Sequence, residues 1–195
     1  PLFRSSAASD VYKRQDYGLA PTKPPRYPSE APVIDHAIIT HSHIDHIGMA
    51  PWLVGHHGTT LHGSRLTSGL SEIMWRDTYK VSSIEGYPLA WDRRDLDAAL
   101  EAWQEHGMGD LFSIGAWDAK FHVAGHIPGA VMTEMDVNGK KVLWTGDMDT
   151  RPSPNVSGAV PVECDILCLE GTYGGKYHPD RLSLIHISEP TRLAT

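Results

Sequence analysis

The regular pattern of apolar and polar positions begins only after a proline-rich stretch. Residues 16–30 hold Pro21, Pro24, Pro25 and Pro28 and read as an irregular loop, because proline fixes φ and lacks a backbone donor. Residues 33–40 (VIDHAIIT) are a short apolar run rich in β-branched side chains, as in a buried strand. Apolar positions then recur at helical spacing. A first helix is expected over 45–54, stopped by Gly55. A second is expected over 66–81, with Leu66, Leu70, Ile73, Met74 and Tyr79 as its stripe. A third is expected over 92–106, capped by Asp92 and carrying Leu96, Leu100 and Trp103. From residue 117 the period shortens to two. Residues 117–124 alternate, and 130–137 and 140–145 flank Asn138-Gly139, a strong signal for a tight hairpin. Residues 165–169 are a last apolar strand, ending at Glu170. Strand, helices, then more strands, with polar residues at strand ends, predicts a layered α/β sandwich.

The two ends stand apart. Residues 10–15 read DVYKRQ and residues 182–187 read LSLIHI. One coding sequence for the first, GAT GTG TAT AAG AGA CAG, has the reverse complement CTG TCT CTT ATA CAC ATC, which encodes the second. Two hexapeptides from complementary strands of one element, flanked by SSAAS and SEPTR, resemble translated transposon adapter from a sequencing library. Residues 1–15 and 182–195 are therefore expected to be non-native, leaving 16–181 as a partial domain open at both ends. His186 is then no ligand candidate, and the lack of a leader carries no information.

Composition narrows the picture slightly. With 41% hydrophobic residues the chain can build a core. Setting the ends aside removes four basic and two acidic residues from the 17 and 24, so the net charge becomes −9 rather than −7. That is the wrong sign for a free-standing nucleic-acid binder, although bound metals would offset part of it and a missing domain would have to supply a basic groove. No run of about 20 apolar residues exists to span a membrane. Cys164 and Cys168 lie about 13 Å apart in an expected strand, too far for a disulfide, and read as small buried residues suited to a reducing compartment.

Histidine is the informative excess. A strand running into His41-Ser42-His43-Ile44-Asp45-His46 delivers four metal-ligating side chains to one place. Alternate residues of extended backbone share a face, so His41 and His43 point the same way, and a helix starting there carries Asp45 and His46 in its first turn. Imidazole nitrogens with a few carboxylate oxygens suit Zn²⁺, and also Mn²⁺ or Fe²⁺. Gly48 lets the helix pack closely. Other residues take plain roles: His56, His57 and His62 solvated or structural, His36 and His122 packed within strands, and the tryptophans in the core. Base stacking by Trp75 or Trp91 is the minor alternative. Arg93-Arg94 and Lys140-Lys141 read as solvated pairs.

The HSHIDH string resembles the HxHxDH motif of the metallo-β-lactamase superfamily, and three further segments follow that family's order. Gly125-His126-Ile127-Pro128-Gly129 is similar to the segment with the third histidine of the first metal site. Thr145-Gly146-Asp147 is similar to the strand-end aspartate between two metals. Asp16-Tyr17-Gly18-Leu19 is similar to the D-x-G motif whose aspartate supports the histidine loop. The resemblance implies an αββα sandwich, incomplete here, that holds two divalent metal ions, Zn²⁺ first among the candidates. His41, His43 and His126 would take the first metal, and Asp45 and His46 the second. Asp147 would bridge them, and Asp16 would fix ligand orientation. It further implies a hydroxide held between the cations as nucleophile, positioned by Asp45 and Asp147.

Leu167-Cys168-Leu169-Glu170-Gly171-Thr172-Tyr173-Gly174 resembles the acidic motif that opens the β-CASP branch of nucleic-acid-processing nucleases. Glu170 is its acidic residue, and His178 and Arg181 match the His-x-x-Arg that trails it. With HSHIDHIGMAPWLVGHHG and DYGLAPTKPPRYP, the chain looks most like archaeal mRNA 3′-end-processing-factor-like and RNase J-like members. For the intact parent this implies hydrolysis of single-stranded RNA in the cytoplasm, endonucleolytic or 5′-to-3′ exonucleolytic, by a homodimer or a processing-complex subunit. Glu170 would orient a histidine from a missing β-CASP insert and return segment. The first metal site is then expected complete, the second incomplete, and the fragment inactive alone. Competing classes are a small-molecule hydrolase (thioesterase, lactonase or glyoxalase-II-like) and a non-catalytic scaffold. The Glu170 motif argues against the former and the six ligands present against the latter. The plain alternative for Glu170 is a carboxylate capping a strand-end turn.

Overall fold

The computed structural model describes residues 2–4, 12–28, 31–172 and 174–175, so His178, Arg181 and residues 182–195 lie outside the described residues. The described residues form two five-stranded sheets. The first has the spatial order β1 (Leu2–Arg4), β2 (Tyr12–Gln15), β3 (His36–Ile38), β4 (Thr60–Gly63), β5 (Trp103–Glu105), parallel from β2 to β5 with β1 antiparallel. The second comprises β6 (Leu111–Ile114), β7 (Trp117–Val123), β8 (Val131–Val137) and β9 (Lys140–Trp144), an antiparallel series, with β10 (Ile166–Cys168) parallel to β9. Parallel neighbours need crossovers. α1 (Ile44–Ile47) and α2 (Ala50–His57) join β3 to β4, and α3 (Arg65–Glu85) and α4 (Arg93–Glu101) join β4 to β5.

Strand alternation divides the core in two. Ala37, Ile39 and Leu61 face the helices and pack with Ile47, Leu53, Trp75 and Leu96. Ile38 faces the other way, into Phe121, Val131, Met135 and Trp144 of the second sheet. The middle of the first sheet, β3 and β4, is thus buried on both faces, as in parallel sheets generally. Among the described residues no helix is long and apolar enough to cross a membrane.

Several sequence expectations are corrected. The 45–54 helix is two helices: α1 stops at Gly48, and α2 starts at Ala50 with Pro51 in its first turn, where the missing N–H has no helical partner to lose. α2 runs through Gly55 and ends at a left-handed Gly58. α3 is longer than expected and buries a different face: Thr67, Ser71, Trp75 and Ser82 point inward, whereas Leu66 and Ile73 are 59% and 63% exposed. Small polar residues win there because the start of α3 abuts the 129 turn. The hydroxyls of Ser64 and Thr67 both donate to the Gly129 carbonyl, at 2.7 and 2.9 Å. The third helix ends at Glu101, and Trp103–Glu105 leaves it to become edge strand β5. The Leu61 N–H bonds the Ala102 carbonyl at 2.9 Å, and the Trp103 ring stacks on Trp75, so tertiary pairing outweighs one more helical turn. Cys168 is exposed rather than buried, Cys164 is half-buried, and both thiols are free. Trp75 and Trp91 are buried, and their indole N–H groups donate to the carbonyls of Ile47 and Gly48, so neither offers a face to a base.

His62 is structural, as expected, but as a nearly fully buried residue between the sheets. Its Nε2 lies 3.1 Å from His36 Nδ1 and its Nδ1 lies 3.0 Å from His106 Nε2. Burial first, then the charges of His36 and His106, lowers its pKa from 6.5 to about 3. Between those values the unfolded chain binds a proton that the folded chain rejects. The stability this group contributes is complete above pH 6.5 and is lost as the pH falls toward 3. Urea unfolding across that window should show stability declining with acid, by up to about 1.4 kcal/mol per pH unit for each such group. His62→Phe should flatten the slope; an unchanged slope would remove His62 from the account.

Candidate metal centre

The centre forms where the two sheets meet. β3 continues as extended chain through Thr40, whose carbonyl accepts the Val131 N–H of β8 at 2.9 Å. The Thr40 N–H and hydroxyl donate to the two oxygens of the Asp16 carboxylate, at 2.8 and 2.7 Å. The same carboxylate lies 3.0 Å from His46 Nδ1. Segment 16–19 lies against α1 through bonds from the Tyr17 N–H to the His46 carbonyl and from the Leu19 N–H to the Ile44 carbonyl. Gly18 permits that contact, since a Cβ there would stand 1.7 Å from the Asp45 carbonyl oxygen.

These bonds determine tautomers. The Thr40 hydroxyl gives its single proton to Asp16, so at 3.0 Å from His41 Nδ1 it can only accept. His41 therefore carries its proton on Nδ1 and turns a lone pair outward from Nε2. An ionised carboxylate also only accepts, so His46 donates from Nδ1 to Asp16 and keeps its Nε2 lone pair.

His41 Nε2 lies 3.0 Å from His43 Nδ1, and His126 Nε2 lies 3.2 Å from the same atom. Asp147 Oδ2 stands 3.9 Å from His41 Nε2 and 3.7 Å from His126 Nε2. The ligand atoms of His41, His43, His126 and Asp147 all lie within 4.8 Å of one another. Protons cannot satisfy three converging imidazole nitrogens at once, since each neutral ring has one N–H, whereas one divalent cation can. The donor set therefore fits a metal ion. His46 and Asp45 stand just beyond, with His46 Nε2 at 3.6 Å from Asp147 Oδ1 and 3.8 Å from Asp45 Oδ2. Asp147 thus turns one oxygen toward each group.

Electrostatics separate the two groups. Burial, reinforced by the charges of His46, His43 and His126, takes His41 down to about 2. His43 is also lowered, by burial and then by His126. Both shifts favour the neutral ring, the form that can offer a lone pair to a metal. Burial lowers His46 too, but the hydrogen bond and charge of Asp16, with the charges of Asp147 and Asp45, outweigh it and its pKa is raised.

Loops complete the site. His126 sits in the β7–β8 connection after Gly125, at φ +77°, where a Cβ would lie 2.1 Å from the Asp149 carbonyl oxygen. Asp147 follows β9. At the end of β10 the Glu170 N–H donates to Thr145 Oγ1, and its carboxylate accepts the N–H groups of Met148 and Thr172. Burial pushes Glu170 up, but the bonds from Thr172 and Met148 and the charge of His126 outweigh it and hold the carboxyl below its ordinary value. That geometry is the turn-capping arrangement, placed beside Asp147. A cavity of about 480 Å³ opens along Asp16, Asp45, His46, Asp147 and Glu170. A second, of about 430 Å³, opens along His43, His126, Asp147, Glu170 and Arg151. Sequence patterns missed Thr40, a buried strand-end hydroxyl preceding His41 that such a position can suggest. They also missed Arg151, which no local pattern singles out.

A helix-covered α/β sandwich with a histidine–carboxylate cluster at the sheet junction is a metal-binding fold. Residues 30–158 match the family described as the metallo-beta-lactamase superfamily, and the chain belongs to it. A motif mutant of a metallo-beta-lactamase from Cronobacter sakazakii shares the fold, with TM-score 0.50 and 16% identity over 78% of this chain and 59% of that one. Similar relatives support a place in the β-CASP branch. The cleavage and polyadenylation specificity factor subunit 3 of Dictyostelium discoideum is 31% identical over 79% of this chain and 20% of its own length. A Thermus thermophilus ribonuclease is 30% identical over 74% of this chain and 33% of its own length. An RNase J-like protein of Methanocaldococcus jannaschii is 28% identical over 82% and 36%. The chain spans a fifth to a little over a third of these relatives.

Titration calorimetry with Zn²⁺ should show one tight site and a weaker second one; two equally tight sites would contradict the separation of the two ligand groups. His43→Ala should abolish the tight site. Asp16→Asn should weaken it by about 10–100-fold through lost ligand orientation, with the fold intact by circular dichroism.

Proposed function

We propose that this chain is part of a metal-dependent ribonuclease that hydrolyses phosphodiester bonds in single-stranded RNA. The observation behind this reading is a conjunction. Relatives similar over about three-quarters of the chain are named as ribonucleases or cleavage and polyadenylation factors, and the family match over residues 30–158 contains the four-residue cluster of His41, His43, His126 and Asp147.

His41, His43 and His126 would hold one cation, Asp45 and His46 a second, with Asp147 between them; a nitrogen-rich set with carboxylates suits Zn²⁺. When bound, the ions supply Lewis acidity toward a phosphate oxygen and a nucleophile at neutral pH. Asp16 and Thr40 keep the imidazole lone pairs of His41 and His46 aimed inward. Asp45 and Asp147 place negative charge where two cations would otherwise repel each other. Glu170, fixed by two backbone N–H groups, is oriented to hold a histidine supplied by a further segment. The cavities on either side of Asp147 give an RNA strand an approach and an exit. Free thiols at Cys164 and Cys168 suit the reducing cytoplasm, and a relative named as a factor subunit supports action within a processing complex, with a homodimer as the other assembly in this reading.

Residues 1–15 and 182–195 belong, in this proposal, to translated adapter. Resequencing the parent locus tests it, and a native reading frame running through both hexapeptides would refute it. Protein from the complete reading frame, loaded with Zn²⁺, should cleave end-labelled single-stranded RNA. Asp147→Ala should slow it by at least about 100-fold. Cleavage by that variant at the unaltered rate would sink the ribonuclease reading.

A further inference from the structure

The cavity beside His43 and His126 carries a charged group that the metal centre does not use. Among the described residues lining it, Arg151 is the only lysine or arginine, facing a wall of His43, His126, Asp147 and Glu170. Its side chain is half exposed, yet it is held. Arg151 Nε donates to Asp149 Oδ1 and Nη2 to Asp149 Oδ2, both at 3.1 Å, and the Arg151 N–H donates to Asp149 Oδ1 at 2.9 Å. Asp149 is itself anchored to the loop that carries the third histidine. Its N–H bonds the Ala124 carbonyl at 2.9 Å, its carbonyl accepts the Ala159 N–H at 2.8 Å, and Gly125 packs against that carbonyl. The guanidinium is thereby fixed relative to His126, two residues from Ala124.

A guanidinium has five N–H donors, and the fork to Asp149 occupies two. Three stay available at the cavity rim, with the hydroxyl-bearing residues Thr150 and Thr172 lining the same space. In a chain of net charge −7, a braced cation at this mouth is matched to an anion rather than to general attraction. We propose that Arg151 binds a backbone phosphate of the RNA next to the one being cleaved, with Asp149 as its brace. This rests on the ribonuclease reading. Arg151 is a phosphate-binding residue here; it takes no part in bond breaking.

The test measures binding of fluorescent octauridylate to Zn²⁺-loaded protein from the complete reading frame by anisotropy, against salt concentration, with a neutral methylphosphonate oligomer of the same sequence alongside. Arg151→Ala should weaken octauridylate binding about tenfold and reduce the log–log salt slope by about 0.7, one phosphate's share for a single strand. Arg151→Lys, keeping charge without the fork, should recover part of the loss. Asp149→Asn should weaken binding less than Arg151→Ala. Binding of the neutral oligomer and of Zn²⁺ should stay unchanged in all three. If octauridylate affinity and salt slope are unaffected by Arg151→Ala, the inference falls and the ribonuclease reading stands. If the unaltered protein binds neither oligomer, the ribonuclease reading falls and takes this inference with it.

Discussion

The Asp16 carboxylate accepts three hydrogen bonds, and their directions decide where the histidine lone pairs point. Two come from Thr40 and one from His46. Because the Thr40 hydroxyl spends its proton on Asp16, it must accept from His41, so one carboxylate sets the tautomers of two imidazoles on different elements. Neutral histidine is a mixture of tautomers in water, and a metal site needs one of them. Hydrogen bonds to a charged acceptor are worth about 1.5–3 kcal/mol each, enough to select it.

The rest of the fold serves to bring this arrangement against Asp147 and His126. Thr40 lies where the chain leaving the first sheet also bonds the second, through Val131, so the donors after β3 and the loops of β7–β9 share one end of the sandwich. The close contacts at Gly18 and Gly125 remove the slack that would blur distances of 3–4 Å. Both faces of β3 are covered, which gives the segment that delivers His41 a rigid base.

Charge explains why the site is uneven. The deep His41 sits among other imidazoles and rejects protons, whereas His46 sits among carboxylates and attracts them. A cation in the first group meets rings whose surroundings disfavour a proton, while in the second it meets His46, whose carboxylate neighbours favour one. Asp147, with an oxygen toward each group, is the element common to both.

Much of this was legible in the residues themselves. Alternation placed His41 and His43 on one face, helical spacing found α3 and α4, and Asn138-Gly139 located the β8–β9 hairpin. Those signals are local, set by the backbone period. What was not legible depends on contacts between distant segments. Ser64 and Thr67 look like solvated polar positions until the Gly129 turn is seen against them, and Trp103 continues a helical stripe until β4 offers it a strand partner. β4, β5 and β6 are too short to show a period. The sequence by itself determined which side chains can bind a metal and in what order they arrive, because residue type and spacing carry that chemistry. Only the tertiary structure decided which nitrogen of His41 and of His46 is free and how the Asp149 brace of Arg151 is tied to the His126 loop, because those depend on hydrogen bonds between residues far apart in the chain.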